Sequence, residues 1–223
     1  MTDTGRVTPQ DNLFSLYFHE LGWLSSEIQK YCEAIFAETP VPEQGYYIKV
    51  SPELHAHIVS VLVNAANLKK LVYTGEKRYK NESVEVFRLR QKRSRVLRES
   101  LSGLKLEEIL NNKVRNSLEH FDEYLDENIV RLSKKPPSTF AAYNMALSHR
   151  EVFNPQVYPI RLYIVSERKF YNMHFSIDIG KIYAEASSIL ERLRELGAVP
   201  DGGPGGVMIP LTAADIDNGS PSE

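Results

Sequence analysis

The chain lacks the features that mark many familiar classes of protein. Among its 223 residues there is one cysteine, Cys32, so it can build neither a disulfide framework nor a cysteine-based metal cluster. No apolar run approaches the roughly 20 residues that span a bilayer, and no basic stretch leads into a short apolar segment as in a secretory leader. The formal net charge is only −2, with 27 Lys and Arg against 29 Asp and Glu. No global field therefore draws the chain to nucleic acid or to an anionic membrane, and any such attraction has to come from a local patch. There is no GxGxxG, no glycine-rich loop ending in GKS or GKT, no GxSxG and no HExxH. These absences exclude dinucleotide-fold, P-loop, serine-hydrolase-like and zincin-like chemistry. The run Gly202-Gly203-Pro204-Gly205-Gly206 is not a phosphate loop, because no helix follows it. His55 and His57 stand two apart on a helical stretch and point in different directions, while His19, His149 and His174 have no partner at ligand spacing. The expectation is a protein of the reduced cytoplasm, off the membrane, with no metal and no cofactor.

What is present is ordinary globular material. Hydrophobic content is 42% and charged content 25%, and the length suits one domain with a sizeable core. Residues 1–10 read as a flexible N-terminal arm. Over 11–38, Leu13, Leu16, Tyr17, Leu21, Leu24, Ile28, Tyr31 and Ile35 step by three or four, which predicts a helix ended by Pro40 and Pro42. Ser51-Pro52 is an N-cap followed by proline at the first helical position, opening a helix over 52–74 that stops at Gly75. This helix has a main stripe through Leu54, Ile58, Val61, Ala65, Leu68 and Val72. Val59, Val63 and Ala66 add a second apolar strip, suited to a central position or to a dimer interface.

Further helices are predicted over 83–101, 106–132 and 178–196, with Gly103 as the joint between the third and fourth. A short helix is expected around 140–147. The segment about 160–175 reads as a two-stranded hairpin, with Ile160, Leu162 and Ile164 alternating. Residues 198–223 are rich in Gly and Pro and read as a disordered tail. The predicted fold is therefore mainly α: an antiparallel four- to five-helix bundle over 11–197 with a late β-hairpin insertion.

Two groups of residues carry candidate chemistry. The stretch from Lys77 to Arg98 holds nine Lys or Arg, and Arg88, Lys92 and Arg95 share one helical stripe suited to tracking a phosphate backbone. The bland alternative is neutralisation by the next helix, since residues 107–127 hold seven acids against two bases. Arg90 and Arg93 lie nearer the apolar side, where a groove or interface suits them better than solvent.

The second group is Arg115-Asn116-Ser117-Leu118-Glu119-His120. Val114, Leu118, Phe121 and Leu125 mark the core side of this helix, which leaves Arg115, Asn116 and His120 on the polar side. An arginine offers a planar fork to phosphate oxygens, and an imidazole moves protons near neutral pH. Asn116 and His120, four apart, are within reach of each other. Glu119 is an obvious ion-pair partner for Arg115, which is the purely structural use of that arginine.

Arg, a polar residue, three further residues and His on a late helix of a bundle resemble the HEPN superfamily (higher eukaryotes and prokaryotes nucleotide-binding). The resemblance implies a four- or five-helix bundle. It also implies a metal-independent endoribonuclease of toxin–antitoxin or phage-defence type, with Arg115 and His120 as the catalytic pair and Asn116 supporting them. A homodimer that brings two motifs together, RNA as substrate and an antitoxin-like protein partner are implied as well. The chain departs from some members in having Asp122 where they carry a tyrosine. Arg168 to His174 has similar spacing but lies in the expected hairpin, with Lys169 in place of the polar residue. The alternative is a non-catalytic bundle used for dimerisation or for binding a partner or RNA.

Overall fold

A computed structural model of the chain describes residues 13–134, 140–152 and 157–209. The expected N-terminal arm and the tail beyond residue 209 lie outside these. The first three long helices form where periodicity and caps place them. Helix α1 is Leu16–Glu38, α2 is Pro52–Val72 and α3 is Val84–Ser100. The Ser51 hydroxyl, the predicted N-cap, accepts from Leu54 N at 3.1 Å, and Ser83 does the same for Val86 N at 3.1 Å, so both satisfy helix-terminal N–H groups.

A mixed β-sheet overturns the expected mainly-α bundle. Strands β1 (Ile48–Lys49), β2 (Phe140–Leu147), β3 (Val157–Ile164), β4 (Lys169–Asn172) and β5 (Phe175–Asp178) form this one sheet in the order β1-β2-β3-β4-β5. β2 and β3 are parallel, and the other neighbours are antiparallel. The fold is α/β. The expected hairpin is only the β3–β4 part of this sheet, and the segment 140–147 is a strand rather than a short helix. Ala, Met and Leu in that segment favour helix weakly, and tertiary pairing outweighs such preferences.

The sheet is buried on both faces at its centre. Ala146, Tyr163, Val165, Phe170 and Ile177 join the large core of α1, α2, α3 and the last helix, α6 (Ile179–Glu195). Ala142, Leu147, Leu162 and Ile164 form a second, smaller cluster on the opposite face. The nearly continuous apolar run of β3 is what a doubly covered strand requires.

The expected fourth helix over 106–132 is broken into pieces. Glu107 N, Glu108 N and Ile109 N donate to the Glu185 carboxylate on α6 at 2.9, 2.9 and 2.8 Å. Those donors are held in a turn instead of opening a helix. Burial pushes the Glu185 carboxyl above its ordinary value, while the three N–H groups pull it down. Helix α4 is then Lys113–Glu119, and α5 is Phe121–Leu132. Their joint is His120, at φ −105° and ψ 40°.

Each short helix has its own anchor on the sheet. Buried Asn172 of β4 donates to Ser117 Oγ at 2.9 Å. In α5, Asn128 donates to Met173 Sδ at 3.1 Å and accepts from the Tyr158 hydroxyl. The stripe expected to be core is so in part. Val114 is buried and half-buried Leu118 packs against the large core, whereas half-buried Phe121 and Leu125 join neither cluster. Residues after α6 do not all leave the body either, because Val199 packs in the core beside Gly22.

Candidate functional site

Among the described residues no hydrogen bond joins the side chains of the three motif residues. Arg115, on α4, is ion-paired with the Glu119 carboxylate one turn on, the structural role its sequence neighbour suggests. His120 sits at the joint between α4 and α5 with its side chain 59% exposed, and its Nδ1 is 3.7 Å from Glu123 Oε1. Asn116 is half-buried, and its carbonyl accepts the His120 backbone N–H at 3.0 Å.

What Arg115 does face is a cleft of about 580 Å³ between α2, α4 and the β3–β4 pair. Ala56, Leu62 and Leu118 line it, Val59 and Val63 form its rim, and His55, Arg161 and Phe170 close it on the sheet side. His120 is not among the lining residues. The rim valines belong to the second apolar strip of α2 and are each 44% exposed, while Ala66 of the same strip is buried. Beyond them, on α1, Trp23 is 52% exposed and borders a neighbouring groove.

The His55 imidazole does not offer the cleft a free base. Its Nδ1 lies 3.0 Å from Ser51 O and its Nε2 2.9 Å from Arg161 O, so both ring nitrogens face backbone acceptors. Arg161 itself is unusual. It is a non-glycine residue at φ +55° inside β3, and Asn144 of β2 has φ +51°. The two stand at facing positions, because Tyr143 pairs Ile160 and Met145 pairs Leu162 on either side of them. Left-handed backbone at such residues costs on the order of 1–2 kcal/mol each. The Arg161 guanidinium lies 3.9 Å from the Phe121 ring centroid, and its Nε is shielded from solvent without a hydrogen-bond partner. Sequence reasoning passed over Arg161; the available signal was a charged residue inside an otherwise apolar run.

The basic stripe on α3 is exposed at Arg88, Lys92 and Arg95, and the Lys92 ammonium lies 5.1 Å from the Phe14 ring centroid. Its neighbours have structural work. Arg93 donates to Leu71 O and Lys70 O at 3.1 and 3.2 Å. Arg90 is buried and grips both Glu82 carboxylate oxygens at 2.7 and 2.8 Å, as well as Gly75 O at 2.8 Å. These two arginines satisfy carbonyls at and just beyond the end of α2, and the Arg90 fork holds Glu82 below the ordinary carboxylate range.

Arg168 and His174 stand at opposite ends of β4, so their spacing carries no site. Burial pushes the Cys32 thiol up to about 12, which leaves it unreactive. Among the described residues no group of three or more His, Cys, Asp or Glu is placed to hold a metal ion, and no helix is long and apolar enough to cross a membrane. Comparison of the chain with family models, curated proteins and solved structures gave no match in any of the three.

Proposed function

We propose that the chain is a metal-independent endoribonuclease of the cytoplasm that works as a homodimer. The observation that carries this reading is the placement of the motif. Arg115 lines an open cleft rimmed by exposed Val59 and Val63, and His120 stands at an exposed helix joint. A large substrate can therefore reach both residues. Since Arg115 and His120 each face a different carboxylate within one chain, the second protomer would supply the partner, packing on the Trp23–Val59–Val63 ridge.

An imidazole would take the proton of a ribose 2′-hydroxyl while that oxygen attacks phosphorus. The bond from phosphorus to the 5′-oxygen then breaks, and the leaving oxygen takes a proton from the His120 of the other protomer. Arg115, released from Glu119, would offset the charge building on the phosphoryl oxygens. The products are a 2′,3′-cyclic phosphate and a 5′-hydroxyl, and Asn116 would support the pair. An antitoxin-like protein partner fits this use.

The second reading is a non-catalytic module that binds RNA through Arg88, Lys92 and Arg95 or binds a partner protein. The Arg115–Glu119 ion pair favours it, because it leaves that arginine in a structural role.

Labelled RNA incubated with the protein in EDTA separates the two. Cleavage lost in His120→Ala, with melting unchanged because His120 is exposed, supports the nuclease. Salt-dependent retention of intact RNA supports the module. A monomer mass by light scattering at micromolar concentration overturns the composite site.

A further inference from the structure

We propose that the cleft between α2, α4 and the β3–β4 pair binds a small organic anion. The Arg161 guanidinium would hold a carboxylate or phosphate head, and the Leu62, Leu118 and valine wall would cover an apolar body. Three observations meet here. The first is Arg161 itself, whose guanidinium is unmatched. Among the described residues no carboxylate is ion-paired with it, and its Nε is shielded from water with no acceptor. A shielded Nε–H lacking an acceptor, on a half-buried planar fork with no acidic partner, calls for an oxyanion.

The second observation is how firmly Arg161 is presented. Its backbone is held in the left-handed region at a register position where the facing strand does the same, and its carbonyl is fixed by the His55 ring at 2.9 Å. The Phe121 ring lies against the guanidinium plane, so the fork is steadied before any ligand arrives. Strained backbone that surrounding structure over-determines is a mark of functional positions.

The third observation is the cleft's size and walls. About 580 Å³ suits a molecule of one or two rings or a short acyl chain. Its walls are largely apolar, through Ala56, Val59, Leu62, Val63, Leu118 and Phe170, which disfavours a bare inorganic ion. Arg115 faces the same cleft and carries its own carboxylate, Glu119, as a built-in competitor. An arriving anion would displace Glu119 and gain the second fork. This site shares its cleft and Arg115 with the proposed nuclease, but Arg161, its principal anchor, has no part in that chemistry.

The test is calorimetric titration of the full chain at low salt with phenyl phosphate, octanoate, inorganic phosphate and octanol. Binding of phenyl phosphate or octanoate, at least about tenfold tighter than inorganic phosphate or octanol, is expected. Which of the first two wins distinguishes a phosphate ester from a carboxylate. Arg161→Asn removes the fork while keeping a residue that tolerates positive φ, and it should weaken binding at least tenfold. Glu119→Gln frees Arg115 and should tighten binding several-fold, an effect that a merely structural Glu119 would not give. If Arg161→Asn fails to fold by circular dichroism, Arg161→Lys keeps the charge without the planar fork and should still weaken binding. No heat from phenyl phosphate or octanoate up to about 5 mM, equal binding of octanol, or unchanged affinity in the Arg161 variant overturns the proposal. RNA cleavage assayed on the same protein, without these probes, reports on the nuclease reading alone.

Discussion

The contact that fastens the motif helix to the sheet lends itself to a quantitative test. Ser117 lies between Asn116 and His120 and is fully buried, as is Asn172. The Ser117 hydroxyl donates to Val114 O at 2.7 Å and accepts from Asn172 Nδ2 at 2.9 Å. Asn172 Nδ2 also reaches Ser117 O, at 3.3 Å. Ser117→Ala removes both hydroxyl bonds and leaves the amide with only the longer one. A buried neutral hydrogen bond is worth about 1 kcal/mol net, and a donor stripped of its better acceptor costs about 1 kcal/mol more. The expected loss is therefore about 2 kcal/mol, or a fall in Tm of roughly 4–8 °C for a chain of this length. Asn172→Ala should cost about 1–2 kcal/mol, mostly as a small cavity, because the hydroxyl keeps Val114 O and the amide oxygen already lacks a partner. In urea melts the double variant should fall short of the sum by about 1 kcal/mol, since both changes delete one bond. Losses that add to within about 0.3 kcal/mol, or a Ser117→Ala variant as stable as the parent, would refute the reasoning.

Two further outcomes rest on named contacts. Arg150 grips Glu167 at 2.8 and 3.0 Å, with the Tyr171 hydroxyl beside it, and holds that carboxyl below its ordinary value of 4.5. Its contribution is therefore present above that value and lost as pH falls through the lower folded-state value, so Glu167→Gln should flatten the acid limb of a melting-versus-pH curve. Gly22 sits in α1, where an added Cβ would lie 2.7 Å from Val199 Cγ2. Gly22→Ala gains up to about 1 kcal/mol of helix propensity but incurs about 1–3 kcal/mol of overpacking. It should melt lower than the parent, and Val199→Ala in the same chain should recover part of the loss.

Helices were legible where a local code was complete. Ser51-Pro52, Ser83 and the three-or-four steps of Leu54 to Val72 need no knowledge of neighbours, and α1, α2, α3 and α6 follow such codes. The fourth helix read equally well and fell into two short pieces. Its first-turn donors are taken by Glu185, from a residue far along the chain. The strand β2 carried a helix-like composition and became a strand because β1 and β3 lie on either side of it.

For the candidate site, the residue types were readable but their company was not. Arg115, Asn116 and His120 were picked out by identity and spacing, and a uniform helix was assumed to set their directions. A joint at His120 breaks that uniform helix, whereas the Arg115–Glu119 pair is the i,i+4 contact already readable in the sequence. Arg161 had no motif to announce it. Its interest comes from the kink it shares with Asn144, from Phe121 against its guanidinium and from the lack of an acidic partner among the described residues, all long-range facts.

The sequence by itself determined the exclusions and the local geometry. A single cysteine, a near-neutral charge, the missing phosphate and metal motifs, the helix caps and the buried stripes are properties of composition and short spacing. Tertiary structure alone decided the fold class and the cleft. Sheet order and register depend on pairings between segments distant in sequence, whose hydrogen bonds and double-sided burial outweigh local preferences of a fraction of a kcal/mol per residue.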